Sequence, residues 1–187
     1  MWINCLVIAI YLSFALDLLI WPIPSEASTS SLISKEKELV SFKSIKAMLV
    51  LLFSLIFYLF PLYFSIKQLI LDERFLSPTL VVLVGLCLAI LGRFISLKAS
   101  QVLRKNHGIS IISSSIFEHS RNPITLGMHL TIFGLIICYN SIFLYFGFIF
   151  YAVNLHGKIK IEENYLKEKF GEEYLKYIEK TPRYLWI

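Results

Sequence analysis

The sequence predicts an all-α integral membrane protein of about five transmembrane helices, the last two forming a tight hairpin, with a cytoplasmic C-terminal helical segment after them. Three observations carry this. Hydrophobic residues make up 57% of the 187 and charged residues 17%, a balance that suits a chain whose surface faces lipid. The charges are grouped between long apolar runs instead of alternating with them. Sixteen of the eighteen Lys and Arg fall on one side of a five-span arrangement that starts outside, as the positive-inside tendency requires.

In chain order, Met1 to Ile20 is a first apolar stretch. It lacks the basic n-region and short apolar centre of a cleaved signal, so it reads as a retained helix. Asp17 lies within a turn of the boundary at Trp21-Pro22 and reads as an interfacial carboxylate. Pro22 to Lys43 is a polar connection punctuated by prolines and by the Ser/Thr cluster Ser25 to Ser31. Ala47 to Ile66 is the second span, with Pro61 as a kink point. Ser77-Pro78 has the form of an N-cap and N1 proline, and opens a third span, Thr79 to Leu97. Gly85 and Gly92, seven residues apart, share a face on which another helix can approach closely. Arg93, one turn from the end of that span, reads first as a side chain reaching for the headgroups, and second as a ligand contact.

Lys98 to Ser120 is polar, and His107 and His119 lack the spacing of metal ligands. The apolar run Leu126 to Val153 would make one helix of ~42 Å, too long for a hydrocarbon core of ~30 Å. Asn140-Ser141 offers a turn midway, giving a hairpin of about Ile124 to Tyr139 and Ile142 to His156. Charge decides for the hairpin, because a single helix would place the seven Lys and Arg of the tail opposite the five of the preceding loop. Within one membrane domain the chain thus divides into an N-terminal two-span part (1–78), core spans (79–157) and a cytoplasmic cap (158–187). In the cap, Glu162/Lys158 and Glu163/Lys167 are four-residue ion pairs, Gly171 is a C-cap, and a second helix runs from about Glu172 to Glu179.

Composition also excludes functions. The basic residues flank apolar helices and no nucleic-acid motif accompanies them, which argues for a bilayer and against nucleic acid as partner. Cys5, Cys87 and Cys138 all lie in apolar segments and read as small buried hydrophobes, with no metal implied.

Two stretches resemble a known family. Lys158-Ile159-x-x-Glu162-Glu163-x-x-Leu166-x-x-x-Phe170-Gly171-x-x-Tyr174-x-x-Tyr177, followed by Pro182, resembles the C-terminal signature of the isoprenylcysteine carboxyl methyltransferase family and its phospholipid methyltransferase relatives. Upstream, Arg121-Asn122-Pro123-Ile124-Thr125-Leu126-Gly127 resembles that family's Arg-His-Pro-x-Tyr-x-Gly, with Asn122 for His and Thr125 for Tyr. The Gly-Pro-Tyr-Arg that usually precedes it reads as Ser115-Ile116-Phe117-Glu118. The likeness spans about residues 80 to 187.

The resemblance implies an integral membrane enzyme that uses S-adenosylmethionine and methylates a lipid-like or prenylated small substrate. It implies cofactor contacts at Arg121, Asn122 and Glu162, with Thr125 and Gly127 beside them, and catalytic positions at Glu163 and Lys158, the latter where the family has Arg. The residues themselves allow this. Asn122-Pro123 reads as an N-cap with an N1 proline, and Arg121 as an interfacial anchor. A helix N-terminus beside an Arg also suits a carboxylate, and glutamates suit an ammonium or ribose hydroxyls. The function expected is methyl transfer to an isoprenylcysteine-type carboxylate. The rival readings are a phospholipid amine or small-thiol methyltransferase, and a non-catalytic membrane protein that keeps the fold.

Overall fold

A computed structural model describes residues 2–20, 59–70, 79–106, 110–139 and 141–185. These form the helices α1 (Trp2–Ile20), α2 (Leu59–Ile70), α3 (Thr79–Asn106), α4 (Pro123–Tyr139), α5 (Ile142–Phe170) and α6 (Glu172–Lys180), with one 3-10 turn at Ser115–Glu118. Among the described residues there is no strand. The expected connection Pro22 to Lys43, most of the expected second span and the Ser77-Pro78 cap lie outside the described residues, as does the side chain of Asp17.

Two helices are long and apolar enough to cross a bilayer, Leu80–Lys105 and Ile142–Phe170. Ile3–Leu16, Leu59–Ile70 and Pro123–Tyr139 are shorter apolar helices. The surface fits a lipid solvent: on α3 Leu80, Val84, Ile90 and Phe94 are exposed, and on α5 Ile142, Phe146, Ile149 and Val153. Apolar side chains exposed along both helices suit a lipid-facing surface.

The core is built where α3 meets α4, because each helix carries two glycines seven residues apart. A Cβ on Gly92 would lie 2.6 Å from the Gly127 carbonyl oxygen, and one on Gly85 would lie 2.6 Å from that of Gly134. Real Cβ atoms do not approach that closely, so the two backbones touch only because these side chains are missing. Val82, Leu86, Ala89, Ile132, Leu135 and Ile136 pack around this seam, and α1 adds Val7, Ile10 and Tyr11. A buried hydrogen bond between the hydroxyls of Ser65 and Tyr139 joins α2 to α4.

Three sequence readings are corrected. First, α3 does not end at Leu97 but continues to Asn106. No Gly or Pro interrupts Lys98 to Asn106, and Arg104 and Lys105 in the last turn complement the helix dipole. Second, Arg93 does not reach for the headgroups. It is 6% exposed and turns inward onto α1, where Nε donates to Ser13 Oγ (2.6 Å) and Nη2 to the Ser13 carbonyl (2.7 Å). Its guanidinium carbon sits 3.9 Å above the Phe14 ring. A charge in an apolar span is stable when its donors are satisfied inside the bundle, and this clamp satisfies them. Third, Cys138 is buried, whereas Cys5 and Cys87 lie on the outer surfaces of their helices.

Candidate functional site

The chain reaches the site through a tight approach. Ser115 adopts φ 60°, and its amide donates to Glu118 Oε1 (3.2 Å), closing the turn that buries Phe117. Ser120, 1% exposed, accepts a hydrogen bond from the Asn122 amide at its Oγ (3.1 Å). The Asn122 carbonyl then accepts from the Leu126 amide (3.0 Å) and α4 begins at Pro123. The backbone of Asn122 is therefore placed as an N-cap, with Pro123 pre-set for the first turn. Its side-chain amide points outward instead, donating to Glu163 Oε1 (3.4 Å) and to the Arg183 carbonyl (3.2 Å).

Glu163 is the centre. It stands on α5 in the stretch from Lys158 to Phe170, whose seven Lys and Glu in thirteen residues place it outside any hydrocarbon layer. Ile159, one turn earlier, is buried, and that face carries Glu163 inward to 3% exposure. Its Oε2 accepts from Arg183 Nε (3.0 Å) and Nη2 (2.7 Å), and its Oε1 lies 3.6 Å from Arg121 Nη1. The expected pairing of Glu163 with Lys167 thus gives way to two arginines from distant parts of the chain. Burial pushes the Glu163 carboxyl up, but the Arg183 hydrogen bonds, the two positive charges and the Asn122 amide outweigh it and hold the carboxyl below its ordinary value.

The C-terminal strap assembles the cluster. Gly171, at φ 52° and ψ −126°, a conformation that a side chain strains, ends α5 with its amide on the Lys167 carbonyl (2.9 Å). α6 then folds back, burying Tyr174 and Tyr177, and the Tyr177 hydroxyl donates to the Phe117 carbonyl (2.7 Å). After Thr181 the strap lies across the start of α4. The Arg121 amide donates to the Pro182 carbonyl (2.9 Å) and Ser120 Oγ to the Arg183 carbonyl (3.3 Å). Beyond Arg183, the Tyr184 hydroxyl meets His156 Nδ1 (2.8 Å). Burial pushes the Tyr174 phenol up to about 12, with the Glu163 charge adding to this and Arg121 opposing it.

Two features of the cluster matter chemically. The guanidiniums of Arg121 and Arg183 both meet the one carboxylate of Glu163. In addition, Arg121, whose side chain is 9% exposed, has a buried Nε with no hydrogen-bond acceptor. Buried donors are normally satisfied, so this one calls for a partner from outside the described protein atoms.

The other expected site residues are distributed as follows. Glu162 is half-buried beside Glu163, about 100° round the helix from it. Lys158 lies on α5 with its side chain outside the described residues. Thr125 is half-buried one turn into α4, and its carbonyl faces His129 Nδ1 at 2.8 Å. Gly127 faces Gly92 and Ser96 in the helix seam, away from Glu163's partners. The sequence reading missed Arg183 as a site residue. The signal was the Thr181-Pro182-Arg183 break after α6, since a proline there ends the helix and turns the chain. An open groove of about 410 Å³ between residues 111–118 and α6 shares Tyr177 with this neighbourhood but contains none of the expected site residues.

The phospholipid methyltransferase family model matches residues 80–173, half of the chain. That interval runs from the first turn of α3 to the first turn of α6, and so takes in the glycine seam, Arg121, Asn122 and Glu163. No curated protein and no solved structure matches the chain. With helices and no strand among its described residues, two apolar helices of bilayer length, and a family model that takes in Arg121, Asn122 and Glu163, the chain belongs to the phospholipid methyltransferase family of integral membrane methyltransferases.

Proposed function

We propose that the protein is a multi-pass membrane methyltransferase that uses S-adenosylmethionine, and that its methyl acceptor is carried by a lipid-like substrate. The observation that carries this is the buried Nε of Arg121, without an acceptor, in a cluster where two guanidiniums share one carboxylate. That arrangement fits an amino-acid carboxylate, which Arg121 and the free amides at the start of α4 would hold. Glu163, with Glu162 beside it, supplies the negative charge for the ammonium end or the ribose hydroxyls. Thr125 lies one turn deeper on α4, while Gly127 is taken up by the seam with Gly92 and Ser96 and lets α3 lie against this part of α4.

When bound, the cofactor supplies an activated methyl group on a positively charged sulfur. The chain's own part is alignment. Asn122 and Arg183 fix both oxygens of Glu163, and the strap holds Arg121 by its backbone, so the binding groups are ordered before a ligand arrives. Because the sulfonium loses its charge as the methyl moves, a carboxylate close to it would favour the ground state. Glu163, held by two arginines, is better used at the amino-acid end.

A phospholipid head-group amine, the acceptor class in the matching family's name, is one candidate. An isoprenylcysteine-type carboxylate, argued from Lys158 at the family's Arg position, is the competing substrate. Calorimetry on the purified protein in detergent tests the reading: S-adenosylmethionine should bind, and absence of binding refutes it. Transfer from labelled cofactor to phosphatidylethanolamine or to a prenylcysteine then separates the acceptors. With a carboxylate substrate Lys158→Ala should nearly abolish turnover and Lys158→Arg preserve it, while with an amine Lys158→Ala should be mild.

A further inference from the structure

We propose that His129, deep in α4, is the proton acceptor for a protonated amine on the lipid substrate. This role rests on the methyltransferase reading above and assigns a residue that neither family motif contains. His129 follows Asn122 by seven residues, so it lies on the same stripe of α4, about 20° away, at ~10.5 Å along the axis. An extended methionyl chain of C–C bonds near 1.5 Å spans ~6 Å from carboxylate to sulfonium methyl. The attacking atom stands about 3 Å further on. A carboxylate held at Arg121 and Asn122 therefore puts the reacting atoms at the level of His129.

The ring is prepared for this task. Nδ1 lies 2.8 Å from the Thr125 carbonyl oxygen. A carbonyl only accepts, so Nδ1 carries the proton, and the neutral ring presents Nε2 as an unprotonated acceptor. Among the described residues, the bond from Nδ1 is the ring's only hydrogen bond. Two rings from α5 fix its plane, Phe148 edge-on at 5.9 Å and Tyr151 at 5.4 Å. A half-buried histidine in an apolar helix, with one nitrogen tied down and no hydrogen bond to the other among the described residues, is costly for packing alone.

The step balances. An ammonium head group gives one proton to Nε2 and becomes a neutral amine. The freed lone pair forms the N–C bond as the S–C bond breaks, with that bond's electron pair remaining on sulfur. His129 then returns its proton to interfacial water.

The test uses full-length protein in nanodiscs. His129→Phe keeps an aromatic ring against Phe148 and Tyr151 but cannot accept a proton. It should bind S-adenosylmethionine within twofold of wild type and lose at least a hundredfold in methyl transfer to phosphatidylethanolamine, within the range of general-base effects. His129→Ala should recover part of its lost turnover with added imidazole. Independently of turnover, the Nε2 resonance in [15N]histidine-labelled protein should shift with phosphatidylethanolamine, and not with phosphatidylcholine, which has no N–H to donate. Turnover of His129→Phe within threefold of wild type, or an Nε2 resonance indifferent to the amine, overturns the role while leaving the functional reading intact. A wild-type chain that binds no cofactor overturns both.

Discussion

Arg183 places both Nε and Nη2 on the same oxygen of Glu163, at 3.0 and 2.7 Å, although twenty residues and a reversal of the chain separate them. The contact closes a loop made of the end of α5, α6 and the strap, and its carbonyl simultaneously holds Asn122. Arg183 is thus the point where the C-terminal segment is fastened to the start of α4.

Arg183→Ala should therefore loosen the strap and leave Glu163 facing Arg121 alone. Breaking a fully buried pair costs ~3–5 kcal/mol, and the third of the Arg183 side chain that remains exposed lowers this to about 1–2 kcal/mol through solvent screening. The expected result is a lower Tm in detergent and at least a tenfold loss of cofactor affinity. Arg183→Lys, a point charge unable to offer two parallel N–H groups, should fall between. An Arg183→Ala protein with wild-type Tm and affinity would show the strap to be ornamental.

The same contact sets a pH dependence. The Glu163 carboxyl is held below its ordinary value of 4.5, so its contribution to stability is fully present above that value and is lost as pH falls through the lower folded-state value. Thermal melts between about pH 3 and 7 should show this acid limb. Glu163→Gln should lower Tm at pH 7 and flatten the limb. An unchanged limb in that variant would assign the acid sensitivity to another carboxylate.

Much of this was legible in the sequence because it depended on local rules. Proline after asparagine marked the start of α4, and Gly171 marked the end of α5. The spacing of Gly85 and Gly92 announced a close helix contact, although not that Gly127 and Gly134 would be its partners. What depended on distant contacts was not legible. Arg93 carries no mark that distinguishes a side chain reaching outward from one satisfied by Ser13, eighty residues away. Arg183 likewise gains meaning only when α6 folds back. Helical spacing suggested Lys167 for Glu163, and two guanidiniums in a buried setting displaced it.

The glycines give a sharp contrast. A methyl group on Gly127 would meet the Gly92 carbonyl oxygen at 2.6 Å and the Ser96 amide nitrogen at 2.6 Å, both rigid backbone. Gly127→Ala should therefore destabilise by at least the ~1–3 kcal/mol of an overpacked core. Around Gly157 in α5 there is nothing within 4 Å, and its φ is helical. Gly157→Ala should stabilise by ~0.5–1 kcal/mol through better helix propensity. Detergent denaturation of the two variants reads both signs, and equal effects would mean that α3 and α4 are not packed through glycine.

The two arginines in and near the core should separate binding from stability. Arg121→Ala should weaken S-adenosylmethionine binding at least tenfold, about 1.4 kcal/mol, if its unpartnered Nε holds the cofactor carboxylate as proposed. Arg93→Ala should lower Tm, since it removes the α3–α1 clamp, and leave affinity in the folded fraction unchanged. Equal loss of affinity in both variants would remove Arg121 from the cofactor site.

The last prediction concerns the membrane itself: five spans, the N-terminus outside, and Lys158 to Ile187 in the cytoplasm. The motive is the distribution of Lys and Arg, of which only Lys67 and Arg74 fall on the outer side. The site adds an independent reason, because Arg121 and Glu163 are joined across 3.6 Å, so the loop before α4 and the tail after α5 must emerge on one side. A soluble cofactor made in the cytoplasm would have to reach them there. Cys5 and Cys87 are exposed on their helices, so the experiment needs them replaced by serine before a new cysteine is read. Lys176→Cys, exposed on α6, should react with a membrane-impermeant maleimide only in inverted vesicles or after permeabilisation. Labelling of intact cells at that position would reverse the topology, and with it the side from which cofactor enters.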